Sequence, residues 1–111
     1  MKMAEEFLRP GEYVVLRGKG KVKTPYVWSG EVVLTNFRLI FLSHDYSFYI
    51  PLEEIEEVWT DGSFLSKTLH VRSIKKHYVV KVSRPARWEK RIKVCSERMK
   101  RTVRYLLGVP V

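Results

Sequence analysis

Between about residues 12 and 83, apolar and polar residues alternate with the two-residue period of β-strands, and the pattern centres on Gly30-Glu31-Val32-Val33-Leu34-Thr35-Asn36-Phe37-Arg38-Leu39-Ile40-Phe41-Leu42. Val32 and Leu34 share one parity, and Glu31, Val33 and Thr35 the other. Beyond the turn, Leu39 and Phe41 alternate with Arg38, Ile40 and Leu42. Thr35-Asn36 separates the two runs, and Asn tolerates backbone conformations that bulkier residues avoid. A hairpin this apolar on both faces needs cover on both, which predicts a place inside a larger antiparallel sheet.

The flanking pattern supplies that sheet. Arg9-Pro10-Gly11-Glu12 predicts a turn, and Tyr13-Val14-Val15-Leu16 opens a first strand that runs on to Lys23. Within it Arg17, Lys19, Lys21 and Lys23 fall on every second position and share one side; Gly18 and Gly20 fall on the other, marking a bulge, a bend or a close backbone approach. Thr24-Pro25 ends the run. A second strand starts near Tyr26 or Val27 with Trp28 inward and leads into the central hairpin. After Ser43-His44-Asp45, the residues Tyr46, Phe48, Ile50 and Leu52 share one face, and Ile55 to Thr60 forms a fifth strand beyond the Glu53-Glu54 turn. Asp61-Gly62-Ser63 is a turn signal that leaves Phe64-Leu65 in a loop. Leu69 to Arg72 and Tyr78 to Val82 make a last hairpin, giving about seven strands spaced as in a barrel or sandwich.

At Pro85 the period changes, and Pro suits the first position of a helix. Trp88, Ile92, Cys95, Met99, Val103 and Leu106 recur at spacings of 4, 3, 4, 4 and 3, an apolar stripe on an amphipathic helix over residues 85–107 that ends at Gly108 and Pro110. The stripe is expected to plug an open end of the barrel.

Composition narrows the class. The 111 residues, 45% of them hydrophobic, suffice for one domain spanning residues 1–111 with one core and no staples. The single cysteine, Cys95, excludes an intramolecular disulfide and fits a reducing compartment. Of the formal net charge of +9, most sits between Arg84 and Arg104, where nine Lys and Arg face only Glu89 and Glu97. No Gln occurs and Asn36 is the only Asn, a bias that fits a thermophilic source. Glu5 and Glu6 interrupt what a signal peptide needs as an apolar core, and no run approaches the roughly 18–20 apolar residues of a membrane span. The expected location is cytoplasmic, either free or peripheral at a membrane surface.

Several of these segments resemble the PH-like superfold, and within it the GRAM and bacterial PH families. The matching residues are Leu8-Arg9-Pro10-Gly11-Glu12, Gly30 to Leu34 with Thr35-Asn36 and Arg38-Leu39-Ile40-Phe41, Ile50-Pro51-Leu52-Glu53-Glu54-Ile55-Glu56-Glu57-Val58, and a terminal helix bearing Trp88. The resemblance implies a mainly β domain: a bent, seven-stranded antiparallel barrel capped by a long C-terminal helix, serving as a binding module rather than a catalyst. In family members that bind phosphoinositides, bases of the first hairpin grip the headgroup phosphates. Lys19, Lys21 and Lys23, with Arg17 just before them, occupy that hairpin here.

Three candidate surfaces follow. Arg17, Lys19, Lys21 and Lys23 read either as an anion or lipid-headgroup site or as a solvated edge strand whose lysines discourage edge-to-edge pairing. At roughly 1 kcal/mol per base near an anionic surface, four bases give about 4 kcal/mol, near-millimolar binding. Phe64 and Leu65 could add a membrane or partner contact, or else join the core. Arg87, Lys90, Arg91, Arg98 and Arg101, with Lys93, Lys100 and Arg104, give the helix a basic face that contacts phosphates or is simply solvated. No base-reading motif accompanies it, and Trp88 and Tyr105 read as packing residues, so nucleic acid is the weakest of the partner classes.

Catalytic signals are lacking. His44-Asp45 lies in a turn, His70 and His77 belong to the last hairpin, and Cys95 sits on the apolar stripe; no triad, metal-ligand spacing or cofactor motif emerges. The expectation is a non-enzymatic module for an anionic surface, with protein–protein contact or homo-oligomerisation as the alternative.

Overall fold

A computed structural model describes residues 8–63 and 66–108. Its elements are β1 (Val14–Lys23), β2 (Val27–Thr35), β3 (Arg38–Leu42), β4 (Ser47–Pro51), one 3-10 turn (Leu52–Glu54), β5 (Ile55–Asp61), β6 (Thr68–Ser73), β7 (His77–Val82) and α1 (Pro85–Leu106). All strand pairings are antiparallel, in the order β4-β3-β2-β1-β7-β6-β5. The central hairpin is interior to the sheet, and both its faces are covered. Val32, Leu34, Leu39 and Phe41 join the main core, while Val33 and Ile40 are buried on the opposite face with Val14 and Leu42 packed on them.

β1 is the middle strand, hydrogen-bonded to β2 along its length and to β7 through Gly20, Lys21 and Val22. The edge-strand reading of its alternating bases is therefore wrong: these lysines guard no open edge. Gly20 and Gly30 face each other across β1 and β2. A Cβ on Gly20 would lie 2.6 Å from Val32 Cγ2, and one on Gly30 would lie 2.2 Å from the Leu42 carbonyl oxygen. Only hydrogen fits at either position, so the two glycines let the neighbouring strands and the residues after β3 approach closely.

The core is filled by inward residues of all seven strands and by Trp88, Ile92 and Cys95 of α1. Trp88 lies over Gly18, where an added Cβ would meet its ring at an ordinary 3.7 Å. Ser96 Oγ donates to the Leu52 carbonyl at 2.9 Å and Lys100 Nζ to the Ile55 carbonyl, tethering the helix to the 3-10 turn and the start of β5. Trp28, Tyr46, Phe48 and Tyr78 form an aromatic chain with centroids 5.1, 5.6 and 4.7 Å apart, bridging β2, β4 and β7. The expected apolar stripe on α1 is covered only in part. Met99 and Val103 are half-buried, but Tyr105 and Leu106 are 76% and 75% exposed, because the last turn of α1 runs past the sheet and finds nothing to pack against among the described residues. The periodicity places Leu106 on the buried stripe and Tyr105 reads as a packing aromatic, yet both are exposed.

A polar latch fixes the segment before β1. Arg38 donates to the Glu12 carboxylate from Nε at 2.8 Å and from Nη2 at 3.1 Å; Thr35 Oγ1 donates to Glu12 Oε2 at 2.6 Å, and the Arg9 amide to Oε1 at 2.9 Å. Asn36 completes it, accepting from the Tyr13 amide at 2.8 Å and donating to the Gly11 carbonyl at 3.0 Å. Burial alone pushes the Glu12 carboxyl up, yet the hydrogen bonds from Arg38, Thr35 and the Arg9 amide, together with the Arg38 charge, hold it below its ordinary 4.5.

Candidate functional site

Strand period and register together decide which polar side chains meet on the outer face of the sheet. Arg17, Lys19, Lys21 and Lys23 are all exposed there, alternating with the inward Gly18, Gly20 and Val22. Lys19 stands opposite Glu31 on β2, and Lys21 stands between Ser29 on β2 and Lys81 on β7. The outcome is an open trough of about 920 Å³ lined by Lys19, Lys21, Lys81, Ser29, Ser43 and His44, with Glu31 and Ser83 among its remaining walls. Gly20 and Gly30, the closely packed pair, also line it.

The four bases of β1 do not act as one group. Lys19 and Lys21 line the trough, whereas Arg17 is drawn to Glu31, with Nη2 3.4 Å from Oε1 and 3.3 Å from Oε2. Lys23 is exposed at the end of β1, beyond the trough lining. Lys81, which the sequence reading left out, enters through the β1–β7 register. Its signal in the sequence was only an outward position in the last strand; that β7 lies beside β1 is decided by topology. The trough is thus lined by three lysines against one carboxylate, with serine hydroxyls and an imidazole beside them and Leu42 and Val82 as its apolar part, a set that suits an oxygen-rich anion.

The helix bases do not reach it. Arg87, Lys90, Arg91, Arg98 and Arg101 are exposed on α1, and none lines the trough. Arg91 and Arg98 instead border a shallow groove of about 230 Å³ with Tyr13, Val15 and Asn36. Lys93 is engaged by Glu89 at 2.6 Å, one turn away. Phe64 and Leu65 lie outside the described residues. Burial pushes the Cys95 thiol up, against a smaller opposing pull from Arg98 and Arg91, so it stays protonated.

A second polar cluster lies on the outer face of β5, β6 and β7. Asp61 Oδ1 is 2.8 Å from His70 Nε2, and His70 Nδ1 is 2.9 Å from His77 Nε2. The Trp59 ring stacks on His70 at 5.0 Å and 6°.

No protein-family profile matches the chain, and no curated protein does. Among solved structures it is similar to the C-terminal domain of an unknown protein from Leishmania infantum, with a TM-score of 0.68, 15% identity, and coverage of 78% of this chain and 86% of that one. It is also similar to the linker-DH/PH domains of p115-RhoGEF, with a TM-score of 0.58 and 11% identity; the match covers 84% of this chain and 31% of that longer one. With the seven-stranded topology and the terminal helix, this settles the architecture. The fold is PH-like. Identities this low speak to the fold alone. Among the described residues no helix is long and apolar enough to cross a membrane.

Proposed function

We propose that this PH-like domain is a non-enzymatic binding module that recognises anionic, phosphate-bearing membrane surfaces through the Lys19, Lys21 and Lys81 trough, and that it belongs with the GRAM and bacterial PH groups. The observation that carries the reading is the convergence of those three lysines with Ser29, Ser43 and His44 around one open trough. The family assignment draws support from the latch, because Glu12, Thr35, Asn36 and Arg38 all fall within the segments that resemble those groups. Lys23 adds a fourth charge at the margin. At roughly 1 kcal/mol per base, three or four bases give millimolar or weaker attachment, so the module works through avidity or with a second contact.

Vesicle co-sedimentation tests this. The protein is expected to sediment with phosphatidylserine-containing vesicles and to stay in solution with phosphatidylcholine alone. Lys19→Ala, Lys21→Ala and Lys81→Ala combined should abolish the difference at physiological salt. Equal recovery from both vesicle types would sink the proposal.

Protein contact, including self-association, is the second reading, favoured by Tyr105, Leu106 and Leu107, which are 76%, 75% and 73% exposed at the end of α1. Light scattering over a concentration series separates the two readings. A mass that stays at 13.2 kDa counts against self-association.

A further inference from the structure

The Asp61–His70–His77 cluster has no part in the trough, and its geometry has a chemistry of its own. His70 pairs with Val79 across β6 and β7, and His77 lies two residues before Val79 on the same face, so the two imidazoles are diagonal neighbours. Asp61 accepts a hydrogen bond from His70 Nε2–H at 2.8 Å, which fixes the tautomer and turns the lone pair of Nδ1 towards His77 Nε2, 2.9 Å away. Trp59 holds both rings from one side, with centroids 5.0 Å from His70 and 5.2 Å from His77.

We propose that His70 Nδ1 and His77 Nε2 form a two-nitrogen site for a divalent transition-metal ion of the imidazole-preferring kind, such as copper, nickel or zinc, with Asp61 orienting His70 through its other nitrogen. In the metal-free cluster one proton bridges the two nitrogens, and a metal ion takes that proton's place. The proton displaced from His77 Nε2 moves to Nδ1 of the same ring. Metal–nitrogen bonds of 2.0–2.1 Å at a tetrahedral ion put the two nitrogens about 3.3 Å apart, so the pair has to open by about 0.4 Å. His77, exposed at the start of β7, can make that adjustment.

A carboxylate on the far nitrogen of a metal-bound histidine is the usual means of fixing ring orientation and raising ligand basicity. Arg72, next to His77 on the same face, is held between Glu56 and Glu57 at 3.7 Å each, which offsets its positive charge. Among the described residues no group of three or more His, Cys, Asp or Glu side chains is arranged to hold a metal ion. Solvent or an incoming ligand therefore completes the coordination.

The test uses Trp59 as its own reporter. Titrating the protein with Cu²⁺ should quench tryptophan fluorescence saturably at one equivalent, and calorimetry with Zn²⁺ should show the same stoichiometry. His77→Ala, a change at an exposed residue, should abolish both signals while the circular dichroism spectrum stays that of the parent. Asp61→Asn should weaken binding by about 10–100-fold. Trp59→Phe should keep the calorimetric binding and lose the saturable quench. Absence of a one-equivalent phase in the unaltered protein, or an unchanged midpoint in both His77→Ala and His77→Gln, would overturn the proposal.

Discussion

Replacing Glu12 by Gln should unlatch the segment before β1 from the central hairpin. Glu12 is fully enclosed and the Arg38 side chain is only 10% exposed, so Glu12→Gln keeps the shape but removes the carboxylate charge from a nearly buried ion pair. Removing one partner of such a pair costs about 3–5 kcal/mol, a large share of the roughly 5–15 kcal/mol that holds a domain together. At roughly 4 °C per kcal/mol for a chain of this size, the melting temperature should fall by about 12 °C or more. Replacing both partners, as Glu12→Leu with Arg38→Met, should cost less than the two single changes together, with a coupling of about 1–3 kcal/mol. Urea unfolding followed by circular dichroism measures all four states of the cycle.

Acid titration gives an independent check on the same pair. Because the folded Glu12 carboxyl sits below its ordinary 4.5, the unfolded chain binds more protons there. The contribution to stability is complete above the unfolded value and is lost as pH falls through the folded one. Glu12→Gln should therefore flatten part of the acid limb below about pH 4.5, where the ordinary carboxyl begins to protonate. A Glu12→Gln protein within about 0.5 kcal/mol of the parent, the usual range for an inert surface change, would refute the reasoning.

Further predictions concern the glycines and the helix. Gly30→Ala should destabilise by roughly 1–3 kcal/mol, because the added carbon meets a backbone carbonyl that cannot step aside, whereas Gly18→Ala should be neutral or stabilising by up to about 1 kcal/mol; denaturant midpoints at constant slope decide between them. Ile92→Ala, at a fully enclosed position of α1, should cost about 2–5 kcal/mol, while Leu106→Ala on the exposed last turn should stay within about 0.5 kcal/mol. Equal melting temperatures for these two variants would mean that α1 does not pack as described.

The period of each segment was legible because it is set locally. Alternation in Tyr46, Phe48, Ile50 and Leu52 marks an inward face whatever lies across from it, and Trp88, Ile92 and Cys95 mark the buried stripe of a helix by spacing alone. The outward parity of Arg17, Lys19, Lys21 and Lys23 was legible for the same reason. What parity cannot supply is the neighbour. Seating β1 between β2 and β7 turned a supposed edge into the centre of the sheet, placed Lys81 beside Lys21 and gave Arg17 to Glu31.

The same holds for the two polar clusters. Glu12 and Arg38 are 26 residues apart, and Asp61 and His70 are nine apart, so no local window connects them. The diagonal contact of His70 with His77 depends on the β6–β7 register, and a slip of one residue would send the two rings to opposite faces. The sequence by itself determined which residues share a face, because that depends on backbone geometry repeated every two or 3.6 residues. Only the tertiary structure decided which outward groups meet, because that depends on strand order and register.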